Sequence, residues 1–392
     1  MGAHLDGFVD WLRRHGYPDC QIRMRLRAAK RLDAQLLREG VRLQDLSAAG
    51  LLAYAPADAH DNKGLAALVR SLVRYFEEQG LLAATPVTPT DTLMAQYRAY
   101  LERLRGLSVA TLAAHDRTVG EFLAFLRYDQ VPERLTNLHP ESIERFIQIE
   151  GRRQSRATLQ HTVAHIRSFL RFLATSGLGR PSLDSRIDTP RLYRGERLPR
   201  ALPWQTVQAF LRAIDRSTPM GRRDYAMLLL VATYGLRSCE VVALTLDDVE
   251  WRAGHLHVRR SKGGSFNVLP LTSEVGDALL DYLRHGRPAE PDRKIFLRVR
   301  APVGPLKRTA LADVFQAWVR RSGLPIPFQG AHCLRHSLAV HLLRQGTSLK
   351  AIGDLLGHRS AESTCVYLQL HVEDLREVSL PVPGAVGTEL QP

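Results

Sequence analysis

Apolar residues recur at helical spacing over most of the chain, and the pattern of the first half occurs twice. Phe8, Trp11 and Leu12 open one amphipathic stretch, and Tyr97, Tyr100 and Leu101 open another. A second helical stretch follows each, MRLRAAKRLDAQLL and then LAAHDRTVGEFLAFL. Next comes a shorter segment with a cap-like start, LQDLSAAGLLAY against LTNLHPESIERFI. The closing stretches, LVRSLVRYFEEQGLL and HIRSFLRFLATSGLG, align with one offset at Arg70/Arg167, Ser71/Ser168, Arg74/Arg171, Gly80/Gly177 and Leu81/Leu178. Gly80 and Gly177 stand where a helix C-terminal glycine belongs. Any two amphipathic four-helix units share some of this pattern, but the common offset favours duplication. Residues 1–85 and 92–180 are therefore expected to be two helical domains.

Thr85-Pro-Val-Thr-Pro-Thr90 reads as a linker between them. Residues 181–202 read as a second, because Pro181, Pro190 and Pro199 prevent a continuous helix. Its arginines can either track a polyanion or simply be solvated. From Pro203 the pattern turns to long helices interrupted by one alternating region, HLHVRRSKGGSFNVLPL, which predicts a hairpin turning at Gly263–Gly264. Residues 203–380 form the third expected domain. Residues 381–392 are Pro/Gly-rich and read as a flexible tail. The fold class is mainly α with one small antiparallel sheet.

Composition narrows the partners. The 392 residues carry a net charge of +14, and the hydrophobic content of 45% is that of a folded protein. The six lysines leave 48 arginines, so base composition can explain the preference for Arg over Lys but not the excess of base over acid. That excess suits a polyanion such as duplex DNA, since phosphate neutralisation releases counterions. Cys20, Cys239, Cys333 and Cys365 are scattered and form no C-x-x-C pair, which argues against zinc ribbons and a disulfide framework. Ala226–Leu236, the most apolar stretch, is too short to span a bilayer, and the N-terminus lacks the basic and apolar regions of a signal peptide. The expectation is a soluble, cytoplasmic protein without a membrane partner.

The chemistry lies between Arg237 and Tyr367. Six residues occur there in order: Arg237 in TYGLRSCE, Lys262 in RRSKGGS, His332 and Arg335 in HCLRHS, His358 in LLGHRS, and Tyr367 in STCVY. Breaking a phosphodiester needs cations around a pentacoordinate phosphate, a nucleophile and a proton donor for the leaving oxygen. A tyrosine is a poor nucleophile near its ordinary pKa of about 10, so cations must surround it. Arg237 and Arg335 have planar forks suited to two non-bridging oxygens. Lys262, at a Gly-flanked turn, can swing over a groove as proton donor. His332 and Arg335, three apart, share one face of a helix start, with Leu334, Leu338 and Leu342 burying the other side. His336 falls off that face and reads as structural. Glu240 can brace Arg237 across one turn, and Tyr234 reads as core. A helix from Ser348 should stop at Gly357, leaving His358 beside a new helix capped by Ser360 that carries Tyr367, where His358 can orient or deprotonate the tyrosine. Asp224, Asp247 and Asp248 lack the spaced partners of a two-metal site, and no Walker loop occurs. Neither metal nor cofactor is expected.

This set of residues resembles the signature of the tyrosine recombinase (phage integrase) family: Arg, Lys, His-x-x-Arg, His or Trp, Tyr. The likeness covers roughly residues 200–375. It implies a helical core-binding domain, here 92–180, joined to a catalytic domain in a C-shaped clamp around DNA. It further implies Tyr367 as nucleophile forming a 3′-phosphotyrosine, Arg237 and Arg335 as phosphate ligands, and Lys262 as general acid. The implied partner is double-stranded DNA with paired inverted half-sites. Two such duplexes would be synapsed by a homotetramer, with possible accessory proteins, and strands exchanged through a Holliday junction. Segment 371–380, with Val372, Leu375 and Val378 on one face, is expected to pass to a neighbouring protomer. Residues 1–85 depart from the usual single unit. A topoisomerase-like nicking and rejoining enzyme, a DNA-binding regulator and a recombinase that binds without cutting are the alternatives.

Overall fold

A computed structural model describes residues 1–55, 63–191, 200–260, 266–358, 360 and 362–370. Packing divides the chain into two compact units. One holds Met1–Arg42, Ala55–Tyr75 and Arg197–Pro392, and the other holds Leu43–Tyr54 and Phe76–Glu196.

The chain begins with α1 (Leu5–Arg14) and α2 (Asp19–Arg38). Their buried residues, Phe8, Trp11 and Leu12 on one and Ile22, Ala29, Leu32 and Leu36 on the other, keep the spacing of a single helix face. After the short α3 (Ala48–Leu52) comes α4 (Lys63–Glu78), whose Tyr75 ring lies 5.5 Å from Phe8 and 6.2 Å from Trp11. Fully burying each such large side chain contributes about 1.5–3 kcal/mol.

In the second unit α5 (Pro89–Arg105) opens with a reciprocal cap: Thr88 Oγ1 accepts from Asp91 N at 3.1 Å, and Asp91 Oδ2 accepts from Thr88 N at 3.0 Å. Helices α6 (Val109–Leu126), α7 (Glu133–Thr136), α8 (Pro140–Arg153) and α9 (Arg156–Thr175) complete the bundle. Its core is aromatic, with Tyr97, Phe122, Phe146, Phe169 and Phe172 among its members. Leu183 and Ile187, on the Pro-rich stretch expected to be linker, are buried in the same core. The closing helices of the two halves end alike: Leu81 N donates to Phe76 O and Leu178 N to Leu173 O, both at 2.9 Å, with Gly80 and Gly177 left-handed.

The larger unit continues with α10 (Trp204–Arg212), α11 (Pro219–Tyr234) and α12 (Ser238–Ala243). Helix α11 is buried over most of its surface and runs through the core; Tyr234 is buried, as expected, and donates to Pro270 O at 2.7 Å. Strands β1 (Val249–Glu250), β2 (His255–Arg259) and β3 (Phe266–Pro270) form an antiparallel sheet in that order, with Arg259 opposite Phe266. The expected hairpin is therefore present, but its turn at Gly263–Gly264 lies outside the described residues. Then follow α13 (Ser273–His285), the short pair β4 (Leu297–Arg298) and β5 (Gly304–Pro305), α14 (Ala310–Ser322), α15 (His332–Arg344), α16 (Leu349–Leu356) and α17 (Glu362–Cys365). Between β4 and β5, Val303 N donates to His15 O at 3.2 Å, which ties the N-terminal helices to the rest of their own unit. Among the described residues no helix is long and apolar enough to cross a membrane.

Candidate active site

Three backbone ends converge on one spot. Helix α11 stops at Gly235, whose φ of +62° reverses the chain and delivers Arg237 as the residue before α12. A side chain at Gly235 would be strained and would have to displace Leu356, since a Cβ there would lie 2.2 Å from Leu356 Cδ2. Helix α16 begins with Ser348 accepting from Ala351 N at 3.3 Å and ends at Gly357, where His358 N donates back to Gly353 O at 2.9 Å. Helix α15 enters with His332 as its first residue.

Arg335 is the deepest cation. Its side chain is 1% exposed, yet its partners are the carbonyls of Gly235 and Leu356 (the latter 2.8 Å), not a carboxylate. Burial, then the charge of Arg237, pulls its pKa down to about 10. Arg237 is part-exposed; its guanidinium meets Glu240 Oε1 at 2.9 Å and Gly357 O at 3.4 Å, while its own N–H donates to Glu240 Oε2 at 2.9 Å. Glu240 thus braces Arg237 as the spacing predicts, accepting from backbone and side chain together.

Glu240 has a further partner that the sequence reading passed over. Arg260 Nη1 donates to Glu240 Oε2 at 3.3 Å, and Nη2 donates to Leu355 O. Arg260 is 2% exposed, and its Nε is buried without a partner. The signal was present: Leu256 and Val258 are the buried positions of β2, so alternation turns Arg260 inward with them.

Tyr367 joins this group from below. It is 2% exposed, packed on Leu338, Ala339, Ile352 and Leu356. Its place differs from expectation in one respect. Ser363 N donates to Ser360 O at 3.1 Å and α17 follows, but the helix lasts only to Cys365, and Tyr367 sits on the 3-10 turn Val366–Leu370. Burial pushes the phenol above its ordinary pKa, and the charges of Arg335 and Arg237 pull it back.

The three histidines differ in their contacts. His358 Nδ1 lies 2.8 Å from Thr364 Oγ1, and its ring is nearly parallel to Tyr367 with centroids 6.2 Å apart. His332, the first residue of α15, keeps part of its surface exposed while its ring packs edge-on to His336 at 4.5 Å between centroids. His336, read from the sequence as structural, is the one that touches the tyrosine: Nδ1 lies 3.1 Å from Tyr367 Oη. Helix geometry accounts for the difference. Residues four apart lie closer on a helix face than residues three apart, so His336 follows His332 more nearly than Arg335 does. Desolvation, then neighbouring positive charge, lowers the pKa of His332 and His358 to about 4; for His336, also about 4, desolvation comes first and His332 next.

The structure therefore brings five of the six expected residues together: Arg237, His332, Arg335, His358 and Tyr367. Lys262 lies outside the described residues, as does segment 371–380. The acidic residues considered above are engaged elsewhere: Asp224 accepts from Trp318 Nε1 at 2.9 Å, Asp247 pairs with Arg293, and Asp248 accepts from Thr245 N at 2.7 Å. In sum, three guanidinium groups are buried or half-buried here against one carboxylate, which bonds two of them, Arg237 and Arg260. Burying such an excess is costly unless an anion joins it, and a phosphodiester supplies that charge with oxygens matched to the arginine forks.

Known proteins carry the same arrangement of sequence. The model of the phage integrase family matches residues 200–374, and that of the phage integrase N-terminal SAM-like domain matches residues 94–177. An integrase/recombinase of Sinorhizobium fredii (strain NBRC 101917 / NGR234), y4rA, is 33% identical over 98% of this chain and 95% of its own length. The tyrosine recombinase XerD of Listeria monocytogenes serovar 1/2a is 31% identical over 73% of this chain and 96% of its own. Two solved structures share the fold. XerH recombinase bound to palindromic difH has a TM-score of 0.55 at 16% identity, covering 75% of this chain and 97% of that one. A lambda integrase dimer on a COC′ core site has a TM-score of 0.55 at 17% identity, covering 81% and 89%. This chain belongs to the phage integrase family, the tyrosine recombinases.

Proposed function

We propose that this chain is a site-specific recombinase that cuts and rejoins duplex DNA through a 3′-phosphotyrosine on Tyr367. The observation that carries the reading is the buried tyrosine lying among Arg237, Arg335 and three histidines, with cations in excess of carboxylates. In this reading Arg237 and Arg335 take the non-bridging oxygens of the scissile phosphate and stabilise the charge that builds on them. The Tyr367 oxygen attacks phosphorus in line with the departing 5′ oxygen, which takes its proton from Lys262. His332 and His358 hydrogen-bond the phosphate from either side. The phosphotyrosine conserves the bond for an incoming 5′ hydroxyl, so rejoining needs no nucleotide hydrolysis.

Residues 92–180 and residues 203–380 are each assigned a contact with the duplex, and 1–85 a further one. Each protomer would bind one inverted half-site, and four would synapse two duplexes in the cytoplasm. Related proteins are described on such substrates: XerH in a post-cleavage complex with difH and lambda integrase as a tetramer on a Holliday junction.

The test is a nicked suicide substrate. The wild-type chain should be trapped as a slowly migrating covalent species on a denaturing gel, and Tyr367→Phe should bind the same DNA with no adduct. An adduct from Tyr367→Phe would remove Tyr367 from the mechanism.

A further inference from the structure

We propose that His336 is a catalytic residue that accepts the proton of Tyr367 as the tyrosine attacks. The inference rests on Tyr367 being the nucleophile. Its warrant is that a buried phenol must donate its hydrogen somewhere. Around Tyr367 Oη, Arg335 and Arg237 offer only N–H donors, and cations cannot accept a proton. His336 Nδ1, 3.1 Å away, carries a lone pair when the ring proton sits on Nε2. His358 lies parallel to the tyrosine ring, and its Nδ1 is directed to Thr364. His332 meets His336 edge-on and keeps part of its surface exposed.

The groups facing His336 keep it in the accepting form. His332 and Arg335 lie on its own helix, His358 follows α16, Arg200 precedes α10, and burial adds to their effect; the imidazole is held neutral down to about pH 4. A scissile phosphate between Arg237 and Arg335 would offset their charge. That raises the basicity of His336 at the moment it is needed and not before. The step balances: the Tyr367 O–H bond breaks and an Nδ1–H bond forms, while Oη bonds to phosphorus and the P–O5′ bond breaks with its own proton donor. Religation runs the same transfer backwards and restores the phenol.

His336→Gln retains a hydrogen-bonding group of similar size without the capacity to hold the proton. Single-turnover covalent trapping on a suicide substrate should then slow by roughly 10²-fold or more. DNA affinity and melting temperature should stay close to wild type. The pH profile distinguishes a base from a structural support. Between pH 6 and 8 the variant's rate should climb about tenfold per unit as solvent takes over the proton, where wild type is much flatter. Replacing Tyr367 with 3,5-difluorotyrosine, a stronger acid of nearly the same shape, should recover rate in His336→Gln far more than in wild type. If the glutamine variant melts early, His336→Asn serves the same comparison. Cleavage within about threefold of wild type, or a parallel pH profile with no selective gain from the fluorinated tyrosine, overturns the proposal. An adduct that persists in Tyr367→Phe instead overturns the nucleophile, so the two failures are separate.

Discussion

Arg335 shows what a single residue can reveal. Carbonyls hold a buried guanidinium in orientation without cancelling its charge, so Arg335 keeps its positive charge inside the site. Lys262 has the opposite standing, since its assignment rests on the sequence: a scarce lysine beside two glycines, between strands that do pair. Lys262→Ala should abolish cleavage of an ordinary phosphodiester. It should regain it on DNA with a bridging 5′ sulfur, which departs without protonation. Failure of the sulfur substrate to restore cleavage would reduce Lys262 to a DNA contact. His336 and Arg260 mark the limits of legibility at this scale. Both carry ordinary residue types, and only the helix face of one and the strand phase of the other disclose that they point inward.

Among the elements, the end of α16 bears most on the site. Gly357 is left-handed at φ +64°, its carbonyl accepts from Arg237, and a Cβ would stand 2.8 Å from Arg260 Nε. Gly357→Ala should therefore cost about 1–2 kcal/mol from backbone conformation alone. Displacement of Arg260 should disturb Glu240 and Arg237 as well. The expected outcome is a lower melting temperature together with slower covalent trapping, measured on the same preparation. Loss of stability with cleavage intact would show that Arg260 does not transmit to Arg237. The boundaries of α16 were legible because Ser348 and Gly357 satisfy backbone groups locally. The element bearing Tyr367 was not. Its short helix gives way to a 3-10 turn because Tyr367 is drawn into the pocket of Leu338, Ile352 and Leu356, and local propensity has no knowledge of that pocket.

For the whole molecule, the depressed histidines predict how stability follows pH. An ordinary histidine titrates near 6.5, whereas His336 and His358 are held down to about 4. As pH falls the unfolded chain takes up protons first. Stability is therefore full above about pH 6.5 and lost between there and about 4, by at most about 1.4 kcal/mol per pH unit for each group. The melting temperature should drop as pH falls from 7.5 to 5, less steeply in His336→Gln. A flat profile would mean that these rings are not kept neutral.

By itself the sequence determined the helical period, the helix caps and glycine stops, the sheet, the cationic balance and the order of the reactive residue types. Each of these is encoded by neighbours along the chain or by composition. It also carried the family, because residue type, order and interval had to agree at six positions together. Tertiary structure decided the rest. It brought Arg260 onto Glu240 beside Arg237, and it set Arg335 against the carbonyls of Gly235 and Leu356. It also placed His336, not His332, on the oxygen of Tyr367. These contacts join residues 20, 100, 21 and 31 positions apart. No local propensity encodes such pairings; they follow from how α11, β2, α15 and α16 close on one point.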